Sequence, residues 1–105
     1  MSARLLAVVP AMLMLTACGA PDQLSPEAAR GKQVYQAQCI ACHNEDPTKA
    51  GSIGPEVKGV PREVVRTKVV DGTYPSGYAP KRPTRIMQPM PQLAPEVDAL
   101  TAYLR

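Results

Sequence analysis

The sequence predicts a small all-α domain of about three to four short helices. Three segments have a proline where a helix would begin and apolar residues at helical spacing after it. The chain has only 105 residues, with 12 prolines and 7 glycines, which excludes a two-domain enzyme, a long coiled coil and a multi-span membrane protein. Because so short a chain builds a small core, we expect a metal, a cofactor or disulfides to complete it.

The net charge gives no indication of a nucleic-acid partner. Lys and Arg together number 12 against 9 Asp and Glu, for a formal net charge of +3. Both signs are scattered along the chain, whereas a nucleic-acid-binding protein usually has a clustered basic face.

Residues 1–17 are typical of a secretory signal peptide. Arg4 precedes an apolar run from Leu5 to Leu15, which matches the charged start and short apolar region of such signals. The run is too short to span a bilayer, which takes about 20 apolar residues. An ordinary signal peptide cleaved near Ala17 or Ala20 is one interpretation of this segment.

A second interpretation is lipoprotein export. The segment Leu15-Thr16-Ala17-Cys18 resembles the bacterial lipobox, whose cysteine becomes the first mature residue and carries a diacylglycerol. We therefore predict lipidation of Cys18, a short tether over residues 18–25 and a folded domain over residues 26–105. This predicts a protein of the bacterial periplasm, lipid-anchored to the inner or outer membrane, and it leaves no free thiol at Cys18 in an oxidising compartment.

The first helix is predicted to begin at Ser25-Pro26-Glu27 and to run to about Gln38. Ser25 suits the N-cap, proline the first turn and the carboxylate the positive end of the helix dipole. Glycine inside a helix costs about 1 kcal/mol, so we expect Gly31 to mark a close helix–helix crossing. One stripe of this helix is apolar or small, formed by Ala28, Gly31, Val34 and Tyr35.

The second helix is predicted from Pro61 to Gly72. Its four valines lower helix propensity, and Val64 and Val69 are five residues apart, although Val65 and Val69 are four apart and can share a face. A strand is the alternative. The proline at the start and the glycine at the end favour the helix.

The remaining segments are two loops and a last helix. Residues 44–55 are polar and rich in breakers. Residues 73–91 are proline-rich, fit no regular element, and are long enough for a compact domain to indicate a functional loop. The third helix is predicted from Pro95 to Leu104, with one apolar face formed by Val97, Leu100 and Leu104.

The segment Cys39-Ile40-Ala41-Cys42-His43 is a C-x-x-C-H motif, the attachment site of c-type haem. Its two thiols can each form a thioether to one haem edge, and the imidazole that follows can reach the iron. A Cys39–Cys42 disulfide, a thioredoxin-like redox pair, which expects a βαβ unit, and a structural zinc site, which needs four ligands, are the alternatives.

His43 is the only histidine, so the sequence predicts one haem and excludes bis-histidine ligation within one chain. A methionine thioether is the sixth ligand expected of an electron-transfer haem because it favours Fe(II). Three of the five methionines lie in the signal segment, which leaves Met87 and Met90.

From Ser25 to Arg105 the chain resembles the class I c-type cytochromes with one haem. The resemblance implies the small cytochrome c fold, with three to four short helices wrapped around one haem c that is covalently attached. The matching features are Gly31, Tyr35, the Cys39–His43 motif, Gly54-Pro55, the segment from Met87 to Leu93, and Leu100-Thr101-Ala102-Tyr103-Leu104.

The resemblance also implies roles at the haem. Cys39 and Cys42 would form the thioethers, His43 would be the proximal ligand, and the Pro55 carbonyl would accept a hydrogen bond from its imidazole. Met87 is favoured as the sixth ligand because of its spacing from the later prolines and leucine, as in the family pattern Met-Pro-Pro-x-Pro-x-Leu.

The sixth-ligand assignment keeps an alternative, Met90, which precedes Pro91. The chain also departs from the family at Gln88, where a proline usually follows the methionine. Candidates to hydrogen-bond the haem propionates, or to steer an acidic partner, are Tyr74, Tyr78, Lys81, Arg82 and Arg85.

These features predict a membrane-tethered periplasmic carrier of single electrons that acts with redox partner proteins and is expected to be a monomer. We expect no enzyme activity, since no paired carboxylates or nucleophile–base set accompanies the motif. The alternatives are an electron-transfer subunit of a larger respiratory oxidoreductase complex and a five-coordinate haem ligand sensor in which neither methionine ligates.

Overall fold

A computed structural model describes residues 23–105, so the predicted signal segment and Cys18 lie outside the described residues. This part of the chain is helical and contains no strand, as the sequence predicts. Its elements, in order, are α1 (Pro26–Gln38), α2 (Arg62–Arg66), a π-helical turn (Thr67–Asp71), a 3₁₀ helix (Pro91–Glu96) and α3 (Val97–Leu104).

Helix α1 has the start and the buried face predicted for it. The Ser25 hydroxyl accepts a hydrogen bond from the backbone N–H of Ala28 at 3.1 Å, which satisfies one of the unpaired donors of the first turn. Proline occupies the first turn, and the last helical residue is Gln38. The buried side of the helix is Ala28, Gly31, Val34 and Tyr35.

Helices α1 and α3 cross at Gly31, which confirms the close approach predicted there. A Cβ atom at this position would overlap the backbone carbonyl of Ala99 and lie 2.9 Å from the Cβ of Tyr103. The backbones of the two helices are therefore in direct contact, and no residue larger than glycine fits at position 31. An ion pair between Arg30 and Glu96, 2.5 Å apart, joins α1 to the 3₁₀ helix next to this crossing.

The second helix lies between Pro61 and Gly72 as predicted, but it is not α-helical throughout. The α-helical part is α2, and the chain then widens into the π-helical turn before Gly72 ends it with a φ of 74°. A turn with i→i+5 bonding brings residues five apart onto one side. Val64 and Val65 of α2 and Val69 of the π-helical turn are all buried.

The third predicted helix begins differently from the prediction. Pro95 lies inside the 3₁₀ helix, and the α-helical part starts at Val97. Residues 73–90 form no regular helix, as predicted, whereas Pro91 already belongs to the 3₁₀ helix. The predicted apolar face of α3 is buried.

The core is one small cluster of buried side chains. Half-buried side chains, including Cys39, Met87 and Met90, pack on its edge. Within residues 23–105, no helix has the length and apolar character needed to cross a bilayer. The buried side chains that contact one another are Val34, Tyr35, Val65, Val69, Leu93, Val97, Leu100 and Leu104.

Candidate functional site

A cleft of about 350 Å³ lies along the edge of this core. Its walls come from the end of α1, residues 53–60, α2 with its π-helical turn, residues 74–90 and α3. Most of the lining is apolar. Six residues that the sequence predicts for a cofactor site line this one cleft: Cys39, Cys42, His43, Pro55, Met87 and Met90.

The C-x-x-C-H motif forms a tight turn directly after α1. The N–H of Cys39 still bonds to the carbonyl of Tyr35 at 2.9 Å, which extends the helical bonding by one residue. The carbonyl of Cys39 then accepts from the N–H groups of Cys42, at 3.2 Å, and His43, at 2.9 Å. These bonds place two thiols and an imidazole next to one another at the cleft.

The loop that follows folds back over this turn. The carbonyl of Cys42 accepts from the N–H groups of Ile53, at 3.2 Å, and Gly54, at 2.9 Å. The N–H of Gly51 in turn donates to the carbonyl of Gly54 at 2.9 Å. The backbone of the loop, rather than its side chains, therefore fixes the position of the motif.

The imidazole of His43 has a defined orientation and tautomer. Its Nδ1 lies 2.8 Å from the carbonyl oxygen of Pro55. A carbonyl only accepts, so Nδ1 carries the proton and the lone pair lies on Nε2, the free nitrogen available to a metal. The backbone of Gly54 lies against the ring, because a Cβ there would be 2.5 Å from Cε1 and 2.6 Å from Nδ1.

Tyr35 supports the loop from the core side. Its side chain is only 2% exposed, and its hydroxyl donates to the carbonyl of Asn44 at 2.5 Å. Burial, followed by the neighbouring Cys39, raises the pKa of Tyr35 to about 12. The ring also packs on that of Tyr103, with centroids 5.5 Å apart.

The two motif cysteines are free, half-buried thiols. Burial, with a contribution from Cys42, raises the pKa of Cys39 to about 11, so its thiol stays protonated at neutral pH. A redox C-x-x-C pair needs the opposite shift, since thiolate is the reactive form. Within residues 23–105, no group of three or more His, Cys, Asp and Glu side chains is placed to hold a metal ion.

Residues 79–89, here called the methionine segment, carry one of the two predicted sixth ligands. Met87 and Met90 are half-buried and pack on the core. The N–H of Met90 donates to the carbonyl of Val69 at 2.6 Å, and Pro89 lies close to Gly72. Among the described residues, no backbone–backbone hydrogen bond involves residues 79–89.

Charged and aromatic side chains form the mouth of the cleft. The ammonium of Lys68 lies 4.4 Å from the centre of the Tyr74 ring, and that ring stacks on Tyr78 with centroids 5.5 Å apart. Of the five residues predicted to contact the haem propionates, Arg85 does not line the cleft. The other four do: Tyr74, Tyr78, Lys81 and Arg82.

Sequence reasoning missed two residues at this mouth. Lys81 Nζ donates to the carbonyl of Glu56 at 2.9 Å and lies 3.3 Å from its Oε1. The carboxylate's own backbone N–H, and then Lys81, lower the pKa of Glu56. No local signal could have found the pair, because its members are 25 residues apart. Lys68 was missed because its position depends on the π-helical turn.

The chemistry of the cleft fits a haem. An apolar slot accommodates a flat apolar ring, two free thiols three residues apart suit two vinyl groups, and an imidazole with a free Nε2 suits the iron. The exposed isoleucines Ile53 and Ile86, 45% and 56% exposed, also line this slot. Bare apolar side chains around a cleft are typical of a ligand-binding groove.

Comparison with known proteins gives one match. A family model described as Cytochrome c matches residues 28–105, about three quarters of the chain. Neither the curated proteins nor the solved structures include a significant match.

Proposed function

Because this chain belongs to the class I c-type cytochromes and binds haem c covalently through Cys39 and Cys42, we propose that it is a membrane-tethered electron carrier of the bacterial periplasm. The family activity is haem-based electron transfer. The proposal adds the axial ligands, His43 and Met87, the lipid on Cys18, and the location.

The fixed imidazole of His43 is the observation that carries the proposal. The 2.8 Å contact between Nδ1 and the Pro55 carbonyl orients the ring and makes Nε2 the better donor, as partners of metal-bound histidines generally do. The backbone of Gly54 lies so close to the ring that a Cβ there would overlap it. An imidazole oriented in this way would be ready to hold the iron through Nε2.

The bound haem supplies a one-electron iron couple whose potential is raised by histidine–methionine ligation. The chain's own contribution is to bind and enclose it. The valines and leucines of the cleft exclude water, and Lys68, Lys81 and Arg82 place positive charge at its mouth. We propose that Lys68 and Arg82 face the propionates or an acidic redox partner, and that the protein turns over no substrate.

Binding of carbon monoxide to the reduced protein tests the axial ligation. A six-coordinate carrier gives a low-spin spectrum and binds carbon monoxide weakly and slowly. Tight, rapid binding would contradict methionine ligation and favour the ligand sensor.

Phase partition tests the tether. The full chain, expressed in a bacterium that matures c-type cytochromes, should enter the detergent phase, whereas a Cys18→Ser variant should be released as a soluble coloured protein. Two or more acyl chains are needed for stable anchoring. A wild-type protein found only in the soluble fraction would contradict lipidation without affecting the haem assignment.

A further inference from the structure

We propose that Lys81 and Glu56 are positioning residues for the sixth ligand, because they tie the methionine segment to the loop that holds His43. The inference rests on the proposed ligation by Met87. It assigns a function to an ion pair that spans the mouth of the cleft.

The contact between the two residues has two parts. Lys81 Nζ donates to the backbone carbonyl of Glu56 at 2.9 Å and lies 3.3 Å from the carboxylate Oε1. An ammonium bonded to a carbonyl and paired with a carboxylate is more directional than a simple surface ion pair. Because Glu56 directly follows Pro55, whose carbonyl contacts His43, the tie reaches the backbone beside the proximal ligand.

The methionine segment has few other anchors. At its end, the N–H of Met90 bonds to the carbonyl of Val69 at 2.6 Å. The backbone between residues 79 and 89 makes no backbone–backbone hydrogen bond within the described part of the chain. A contact of Gln88 with the carbonyl of Ile86, at 3.5 Å, is local and anchors nothing.

Besides the packing of its own side chain on the core, two fixed points flank Met87. Lys81 holds the segment six residues before it and Met90 holds the segment three residues after it. Prolines 80, 83 and 89 restrict the backbone between and beside these points. Loss of the Lys81 tie leaves a segment that is fixed at one end, and its methionine leaves the cleft more often.

Imidazole binding to the oxidised holoprotein measures this opening, since imidazole enters only when the methionine has left. In Lys81→Gln we expect the apparent affinity for imidazole to rise about two- to fivefold, the range that corresponds to an exposed ion pair. Glu56→Gln should have a smaller effect, because it leaves the backbone carbonyl that Lys81 contacts. Lys81→Arg should restore most of the wild-type affinity.

A matched control is Arg62→Gln, which removes the same charge from an exposed ion pair with Asp98, at 2.5 Å, outside the cleft. Its imidazole affinity should equal that of the wild type. The double variant Lys81→Gln/Glu56→Gln should bind imidazole no more tightly than Lys81→Gln alone, because both changes break one contact.

Three results would each contradict the proposed role of the Lys81–Glu56 contact. They are a wild-type imidazole affinity in Lys81→Gln, additive effects in the double variant, and an equal change in Arg62→Gln. Failure of the proposed function is a different result. If Met87→Ala keeps the red-edge charge-transfer band of the ferric protein, Met87 is not the ligand, whatever imidazole affinity the Lys81→Gln variant shows.

Discussion

The two sides of the cleft are built in different ways. On the proximal side, the carbonyls of Cys39 and Cys42 each accept two backbone hydrogen bonds, and Gly54 packs on the imidazole. On the other side, residues 79–89 make no backbone–backbone hydrogen bond within the described residues and are held at their ends. The backbone around the histidine is thus fixed locally, whereas the backbone around Met87 is fixed by contacts some residues away, although the Met87 side chain itself packs on the core.

This difference indicates which ligand is released first. A side chain enclosed by its own loop moves only if the loop unfolds, whereas a side chain on a segment tied at two points moves when one tie opens. We therefore expect foreign ligands, and the first steps of unfolding, to enter from the methionine side.

Two glycine substitutions should give the largest difference in the free energy of unfolding. Gly54→Ala places a Cβ 2.5 Å from the ring of His43, and we expect a loss of about 3 kcal/mol or more in the free energy of unfolding from overpacking. Gly77→Ala, at a φ of 81° with no atom near its Cβ, should lose only about 1 kcal/mol from backbone strain. Denaturant titration of both holoproteins measures the difference; similar losses would show that the proximal loop is not rigid.

Substitution of the two methionines comes next. Met87→Ala should abolish the weak red-edge charge-transfer band of the ferric protein and lower the free energy of unfolding by about 2 kcal/mol, as expected for a half-buried methionine. Met90→Ala should keep the band, since it leaves the proposed ligand Met87 unchanged. The opposite pattern of spectra would assign the ligand to Met90.

The smallest expected effect concerns Tyr35. Tyr35→Phe removes the 2.5 Å hydrogen bond to Asn44 and should lower the free energy of unfolding by about 1 kcal/mol at neutral pH.

The stability of the Tyr35→Phe variant at alkaline pH gives a second test. The pKa of Tyr35 is raised from an ordinary value of about 10 to about 12, so its stabilising contribution is complete below pH 10 and is lost as the pH rises towards 12. Unfolding measured from pH 9 to 12 should show a steeper loss in the wild type than in Tyr35→Phe. Parallel curves would show that the hydroxyl is not held in its protonated form.

The sequence predicted the parts of the fold that local chemistry determines. Ser25 and Pro26 mark the start of α1, and Gly31 marks its crossing with α3, because a cap and a missing side chain act on their immediate surroundings. The five-residue spacing of Val64 and Val69 does not fit one face of an α-helix. Both valines are nevertheless buried, Val64 in α2 and Val69 in the π-helical turn that follows it.

Side-chain contacts between two irregular loops were beyond sequence reasoning. The Lys81–Glu56 pair depends on how two loops meet, and nothing in either local sequence indicates it. The close packing of Gly54 on His43 was likewise missed. The sequence showed this glycine as part of a Gly-Pro loop, and only the folded backbone shows that a Cβ there would strike the imidazole.

Mass spectrometry of the purified, matured protein, combined with extraction in acidified organic solvent, tests the central claim most directly. We predict a polypeptide that carries the mass of one haem and keeps its colour in the protein fraction, with the haem attached to a peptide that contains Cys39 and Cys42. A colourless protein, or a pigment that passes into the solvent, would contradict the account.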